Sequence, residues 1–237
     1  TGAGLVGRAL AHQLQAAGHD IVLTDRVDGP DIVVADLTDA AAMVRVVAGV
    51  DGIFHTAAIH GWIDATPRAF FESNVVGTWT LLEAAAAAGV PRAVLASTIG
   101  VYGHPAPPIG PDTPAIAVSG AYETTKRMAE DVGRFWSAFE IDVVSLRYGA
   151  VRQMVERDGT LPAPWARSGA LVDLEDVVEY TIAAMHRLPL PRPAYVIAPS
   201  GGGDDSPYRV DASATERDLG IEFRHRYADF VAEGRAS

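Results

Sequence analysis

The chain has 237 residues, 49% of them hydrophobic and 21% charged, with a formal net charge of −11 at pH 7. These numbers describe a soluble globular protein of one large domain, with or without a small appendage, and the acidic balance excludes a nucleic-acid surface, which needs a basic stripe. The chain has no Cys, so disulfides and thiolate metal sites are excluded, and no apolar run approaches the ~18 residues of a membrane span; a cytoplasmic protein without a membrane partner is expected.

The chain opens on Thr1-Gly2-Ala3-Gly4. A glycine turn of this kind normally follows a strand, so a strand of ~5–8 residues is expected ahead of residue 1. Gly2-Ala3-Gly4-Leu5-Val6-Gly7 matches G-x-G-x-x-G and opens an amphipathic helix through Leu10, Leu14 and Ala17, which Gly18 ends. Glycines at these places permit a tight turn, let backbone N–H groups approach a pyrophosphate, and aim a helix N-terminus at it. Residues 21–25 read as a buried-type strand, and Asp25 at its end is placed to accept from a ribose 2′-hydroxyl. A strand over 32–35 ends at Asp36-Leu37, and Asp39 begins a helix through Val47. A strand over 53–55 enters Thr56-Ala57-Ala58. One long helix is predicted over 67–88, with Phe70, Phe71, Val75, Trp79 and Leu82 at helical spacing. A strand over 94–96 ends at Ser97-Thr98, a helix covers 122–139, and a further strand covers 143–146. This alternation predicts an α/β fold, a doubly wound parallel sheet of the Rossmann type with helices on both faces. Residues 1–150 are expected to form the dinucleotide-binding domain. Residues 151–237 are expected to form a small substrate-binding region partly interleaved with the sheet. Pro and Gly concentrate over 104–114 and 200–207, which read as loops.

The chain uses arginine at 18 of its 19 cationic positions and lysine at one, Lys126, four residues after Tyr122. An ammonium is a compact charge that can sit beside a phenol and make it more acidic, whereas a guanidinium is a planar fork. The seven His include no H-E-x-x-H and no tight carboxylate cluster, so no metal site is expected. His60 and His104 lie in loops expected to edge the pocket, and Trp62, Trp136 and Trp165 read as packing or pocket walls.

Together these motifs resemble the extended short-chain dehydrogenases/reductases, specifically the NAD-dependent epimerase/dehydratase family. The matching signatures are the glycine turn, Asp36-Leu37, His55-Thr56-Ala57-Ala58, Asn74-Val75-Val76-Gly77-Thr78, Ser97-Thr98 with Val101-Tyr102-Gly103, Tyr122-x-x-x-Lys126, Arg147 with Gly149, and Leu171-Val172-Asp173 with Asp176-Val177. The resemblance implies that Tyr122 is the general acid/base and that Lys126 binds the nicotinamide ribose and lowers the phenol's pKa. It implies that Thr98 holds the substrate oxygen, with Ser97 as the alternative, and that Asp36 and Leu37 flank adenine. Ala57 and Ala58 would be small because the cofactor passes close to the backbone. Asn74 would be either a direct ligand contact or a structural hydrogen bond. His60 and Tyr148 complete the candidate substrate-facing set. NAD is the expected cofactor in preference to NADP, because Asp25 would repel a 2′-phosphate. Arg26 and Arg8 are the residues that could accept one. A homodimer is expected through the two long helices, the first of which is more apolar than one buried face requires.

The chain departs from the family pattern in two places. The glycine turn is one residue shorter than T-G-x-x-G-x-x-G, and Arg152-Gln153-Met154 stands where a Tyr-Gly-Pro loop usually follows the Arg147 strand. Missing segments are therefore expected near 151–153 and 201–205. Ile99-Gly100 stands where the family's sugar 4,6-dehydratases carry an acidic pair, and these residues cannot shuttle the protons of water elimination. Roughly 90 residues follow Arg147, which favours a small substrate such as a sugar, sugar acid or lactone, as in the uronate-dehydrogenase-like members. The expected function is an NAD-dependent oxidoreductase acting on a hydroxyl or carbonyl carbon. The alternatives are a sugar epimerase and a non-catalytic dinucleotide sensor; retention of the Tyr/Lys pair counts against the sensor.

Overall fold

In a computed structural model the chain forms alternating strands and helices, described over residues 1–103, 108–110, 112–116, 120–139, 141–156, 160–162, 168–202 and 208–236. The fold is the expected α/β arrangement of parallel strands flanked by helices. It divides into two compact units, one of Thr1–Ala96 with Val118–Ser145, the other of Ser97–Ala117 with Leu146–Ser237.

The first unit begins at the glycine turn and passes into α1 (Leu5–Ala16), which buries Val6, Leu10, Ala11 and Leu14 along one stripe. β1 (Thr24–Asp25) pairs in parallel with β2 (Val33–Val34). Both are shorter than the predicted strands. Asp39 caps α2 (Ala40–Val46) by accepting the Ala42 N–H at 3.0 Å. β3 (Ile53–His55) pairs in parallel with β4 (Arg92–Thr98), in the register Ile53 with Ala93. Thr1 and Gly2 lie between β1 and β3. Gly2 N–H donates to Thr24 C=O at 2.8 Å, and Thr56 N–H donates to Thr1 C=O at 2.8 Å.

The helix predicted over 67–88 is interrupted. α3 (Pro67–Phe71) starts at the Thr66 cap, a π-helical turn covers Glu72–Val76, and α4 (Gly77–Ala87) completes the run. A π-turn accommodates an extra residue within a helix and often marks a functional site. Helical spacing of apolar residues cannot reveal it, because the inserted residue here is Asn74 or a neighbour held by partners remote in sequence. α4 packs against α2 and α5 (Ala121–Ser137). Its small residues Ala84, Ala85 and Ala86 allow close approach, and with Leu81, Leu82, Met43, Leu95, Ile141 and Val143 they form the core of this unit. Each large buried aliphatic there contributes about 1.5–3 kcal/mol. β5 (Asp142–Tyr148) lies next to β4.

The second unit carries the far end of β5, which neighbours β8 (Ala194–Ile197). β6 (Ala150–Val151) pairs in parallel with β7 (Leu171–Val172). α6 (Arg152–Val155) begins directly after β6, with Val151 as its cap. The break expected near 151–153 falls on this junction of β6 and α6. α7 (Leu174–His186), α8 (Ser213–Leu219) and α9 (Tyr227–Ala236) complete the unit. Of the other expected break, Gly201 and Gly202 are described and 203–205 lie outside the described residues, as do His104 and Trp165. Among the described residues, no helix is long and apolar enough to cross a membrane.

Candidate active site

The glycine turn is fixed by contact with the end of β3. Gly2 has φ +93°, and a Cβ there would lie 2.4 Å from Ala57 N; a Cβ on Gly7 would lie 1.8 Å from Gly2 O. Both positions therefore require glycine for steric reasons. The Thr56 hydroxyl shares its proton between Thr1 C=O and Gly2 C=O, 3.0 Å from each. Gly4 differs. It is exposed, no atom lies within 4 Å of its would-be Cβ, and it caps α1 without a side-chain hydrogen bond or an acid in the first turn. The uncapped N–H groups of a 12-residue helix facing open space fit a pyrophosphate. Leu5 is exposed at this turn, while Val6 is buried under it.

Asp25 is bound to the same turn. One carboxylate oxygen accepts Ala3 N–H at 2.7 Å and the other accepts Val27 N–H at 3.0 Å. Each oxygen keeps a free lone pair, so the carboxylate can still accept from a ribose hydroxyl. Arg26 is exposed, and the Arg8 guanidinium lies over Gly29, 3.5 Å from where a Cβ would be. Asp36 accepts the Thr38 N–H at 2.8 Å and the Thr38 hydroxyl at 2.7 Å, and these bonds lower its pKa. Leu37 packs against Gly77, whose added Cβ would stand 2.7 Å from Leu37 Cβ.

A buried chain of hydrogen bonds runs from the turn to the π-turn. The Thr1 hydroxyl meets His55 Nδ1 at 2.6 Å, His55 Nε2 meets the Thr78 hydroxyl at 3.0 Å, and that hydroxyl donates to Asn74 C=O at 2.7 Å. Thr78 has one proton and gives it to Asn74, so His55 must donate from Nε2 and accept at Nδ1. Burial, then the charge of Lys126, holds the His55 pKa well below its ordinary 6.5. The ring is neutral.

Asn74 makes structural bonds to two segments. Its side-chain oxygen accepts Ile59 N–H at 2.8 Å, and its amide nitrogen donates to Ile59 C=O and to the Thr125 hydroxyl, both at 3.1 Å. Both amide protons are spent. Thr125 in turn donates to Ala121 C=O at 2.7 Å and Tyr122 C=O at 3.0 Å. Asn74 thus ties the loop after β3 to the first turn of α5. The sequence offered a structural hydrogen bond as one reading of Asn74 but could not name Ile59 and Thr125 as its partners.

Tyr122 is half-buried in that first turn of α5, and Lys126 follows on the same face, 5% exposed. Burial lowers the Lys126 pKa to about 8, opposed by buried Glu130 one turn on. His60 stacks on Trp62 with ring centroids 3.5 Å apart and lies 4.5 Å from the Tyr122 ring. Burial, then Lys126, lowers the His60 pKa to about 4.

The remaining candidates belong to the second unit. Ser97 is buried, and Thr98 at the end of β4 accepts Gly100 N–H at 3.1 Å. Tyr148 is an interior residue, its hydroxyl 2.7 Å from that of Thr181 and its pKa raised by burial. Asp173, Glu175 and His225 also place ligand-type atoms within 4.8 Å of one another. Asp173 is engaged there as the α7 cap, accepting Glu175 N–H at 2.9 Å and the Gln153 amide at 3.0 Å, and His225 Nδ1 meets Asp176 at 3.1 Å.

Residues 1–152 match the model of the NAD dependent epimerase/dehydratase family. The chain belongs to the NAD-dependent epimerase/dehydratase family. It is 32% identical over 160 residues to a UDP-glucose 4-epimerase of Corynebacterium glutamicum, covering 62% of this chain and 48% of that one. It is 36% identical over 124 residues to a uronate dehydrogenase of Agrobacterium fabrum, covering 51% of this chain and 45% of that one. The chain thus spans about half the length of the curated relatives it matches. Among solved structures, uronate dehydrogenase from Agrobacterium tumefaciens superposes with TM-score 0.80 at 25% identity, over 99% of this chain and 86% of that one.

The two neutral histidines make stability depend on pH. His60 has a folded pKa of about 4 and His55 one well below 6.5, so an unfolded chain binds protons first as pH falls below about 6.5. Their contribution to stability is complete above about 6.5 and is lost progressively toward about 4. Chemical denaturation across this range should show a falling midpoint. His55→Gln and His60→Phe together should flatten that slope, and an unchanged slope in the double variant contradicts the assignment.

Proposed function

We propose that this protein is an NAD-dependent oxidoreductase that acts at a hydroxyl-bearing or carbonyl carbon of a sugar or sugar-acid-like substrate. The observation that carries the proposal is the buried Lys126 one helical turn after half-buried Tyr122, on a helix turn tied by Asn74 and Thr125 to the loop after β3. The open, uncapped start of α1 beside Asp25 supports dinucleotide binding by Gly2, Gly4, Leu5, Val6 and Gly7, with Thr56, Ala57 and Ala58 behind the turn. When bound, NAD supplies the hydride acceptor. Tyr122 takes the substrate hydroxyl proton through its phenolic oxygen. Lys126 stabilises the phenolate that makes this possible, because its charge sits in a dry site where it is weakly screened. We assign Thr98 the substrate oxygen on the strength of the family motif. Similarity to uronate dehydrogenase across nearly the whole chain favours net oxidation. The longer sequence match to UDP-glucose 4-epimerase supports epimerisation as the second reading.

A screen over uronic acids, aldoses and lactones separates the two. Sustained NADH formation identifies a dehydrogenase, and stereochemical inversion with flat absorbance an epimerase. With the substrate found, Tyr122→Phe should lose at least about 10²-fold in kcat while NAD affinity stays within a few-fold. Lys126→Arg should fail despite the retained charge, since a fork cannot take the ammonium's place. Thr98→Ala should cost on the order of 10²-fold. Wild-type turnover in Tyr122→Phe would refute the mechanism.

NAD should bind more tightly than NADP, because Asp25 faces the turn and repels a 2′-phosphate. Arg8 over Gly29 and exposed Arg26 are the groups that could reverse this. Tighter NADP binding by calorimetric titration contradicts it.

We further propose a homodimer through α3–α4 and α5. Phe71, Trp79 and Phe135 are exposed on these helices and Phe139 just past the end of α5, and the rings of Trp79, Phe135, Trp136 and Phe139 form a cluster with centroids 4.8–6.0 Å apart. An exposed apolar patch of this kind marks an interaction surface. Light scattering at micromolar concentration should give twice the chain mass, and Phe135→Glu should give the monomer. A monomeric mass for the unmodified protein excludes the dimer.

A further inference from the structure

The loop after β3 meets the Tyr122 side chain at two consecutive residues, His60 and Gly61. Residues 60–63 form a tight turn closed by Ile63 N–H donating to His60 C=O at 2.9 Å. The turn lays the His60 imidazole against the phenol, with ring centroids 4.5 Å apart and planes inclined by 32°. The Trp62 indole stacks on the same imidazole at 3.5 Å and 27°. Between them, Gly61 leaves the space that the phenol fills. A Cβ there would lie 3.2 Å from Tyr122 Cδ1 and 3.4 Å from its Cβ and Cγ. Gly61 is not among the positive-φ glycines, so its backbone would accept alanine, and the nearest atoms a methyl would meet belong to Tyr122.

The turn is anchored from behind. Asn74 holds both the N–H and the C=O of Ile59, the residue before His60. The same Asn74 bonds Thr125, which bonds the carbonyl of Tyr122. The His60 ring and the Tyr122 backbone are thus referred to one carboxamide. His60 Nδ1 is buried without a hydrogen-bond partner, so the imidazole meets its neighbours through its faces.

We propose that the His60-Gly61-Trp62 turn positions the catalytic tyrosine, with the imidazole, backed by the indole, fixing the plane of the Tyr122 phenol and so the direction of its hydroxyl. This rests on the assignment of Tyr122 as proton carrier. A displacement of about 1 Å at a reacting group costs on the order of 10²-fold in rate. Substrate and cofactor binding through other groups is left intact by such a displacement. The role is one of packing, and a ring without nitrogens can perform it.

The test uses the full chain and the substrate found by the turnover screen. His60→Ala should lower kcat by roughly 10- to 100-fold, with KM and NAD affinity within about threefold. His60→Phe should restore kcat to within about threefold of the unmodified protein. Gly61→Ala should lower kcat in the same direction by a smaller factor, as the Tyr122 side chain gives way slightly to its methyl. Unchanged NAD affinity shows that each variant is folded. A readout without substrate is the flip rate of the Tyr122 ring by NMR, which should rise in His60→Ala and stay unchanged in His60→Phe. The proposal is overturned if His60→Phe is as slow as His60→Ala with a raised KM, which would assign the imidazole nitrogens to substrate binding. It is equally overturned if His60→Ala and Gly61→Ala leave kcat and the flip rate unchanged. Tyr122→Phe keeps the two levels apart: wild-type turnover there removes the proton carrier itself, whereas an inactive Tyr122→Phe beside unaffected His60 and Gly61 variants removes only the positioning role.

Discussion

Asn74 sits in the π-turn between α3 and α4 and divides its side-chain hydrogen bonds between Ile59 and Thr125. An amide with both protons and one oxygen lone pair committed has little rotational freedom, so the loop after β3 and the first turn of α5 cannot shift independently. The π-turn makes this possible by changing the helix phase locally. On the other side, the Asn74 carbonyl receives the Thr78 proton, and through Thr78 and His55 the same point connects to the hydroxyl of Thr1. The glycine turn, the β3 end and the Tyr/Lys helix thus share one hydrogen-bonded framework. Buried polar groups rigidify a site only when every member is satisfied, and the tautomer forced on His55 is what satisfies this one.

Dryness sets the electrostatics around that framework. Lys126 is buried, and its lowered pKa is the direct cost of desolvation, moderated by Glu130. Its charge reaches His55 and His60 and helps keep both neutral. In the proposed mechanism this positive charge, faced by Glu130, also acts on a group that can become negative. The phenol of Tyr122, one turn away on α5, is such a group. At an exposed pair such as Arg68–Glu72 an exchange between Arg and Lys matters little, since surface pairs contribute little.

Much of the fold was legible in the sequence because its signals are local. Asp39 and Thr66 cap helices three residues ahead of the N–H groups they accept, and Gly2 and Gly7 mark a turn within a single stretch of six residues. Alternating strands and helices follow from period and punctuation alone. The predicted bounds of β1 and β2 were too long, and the helix over 67–88 was read as unbroken, because apolar spacing reports burial and not hydrogen-bond phase.

The sequence by itself determined the class of fold, the family, and the Tyr122/Lys126 pair, since four residues on a helix bring two side chains to one face wherever that helix is placed. The tertiary structure alone decided what each polar group bonds. Asp25 meets Ala3 across 22 positions, His55 meets Thr1 across 54, and Asn74 meets Thr125 across 51. It also decided that Gly61 lies against the Tyr122 side chain, a contact invisible in a loop whose backbone makes no unusual demand. The reason is the same in each case. A buried polar group or a filled space must be matched by whatever the packing brings to it, and the packing is a property of the whole chain.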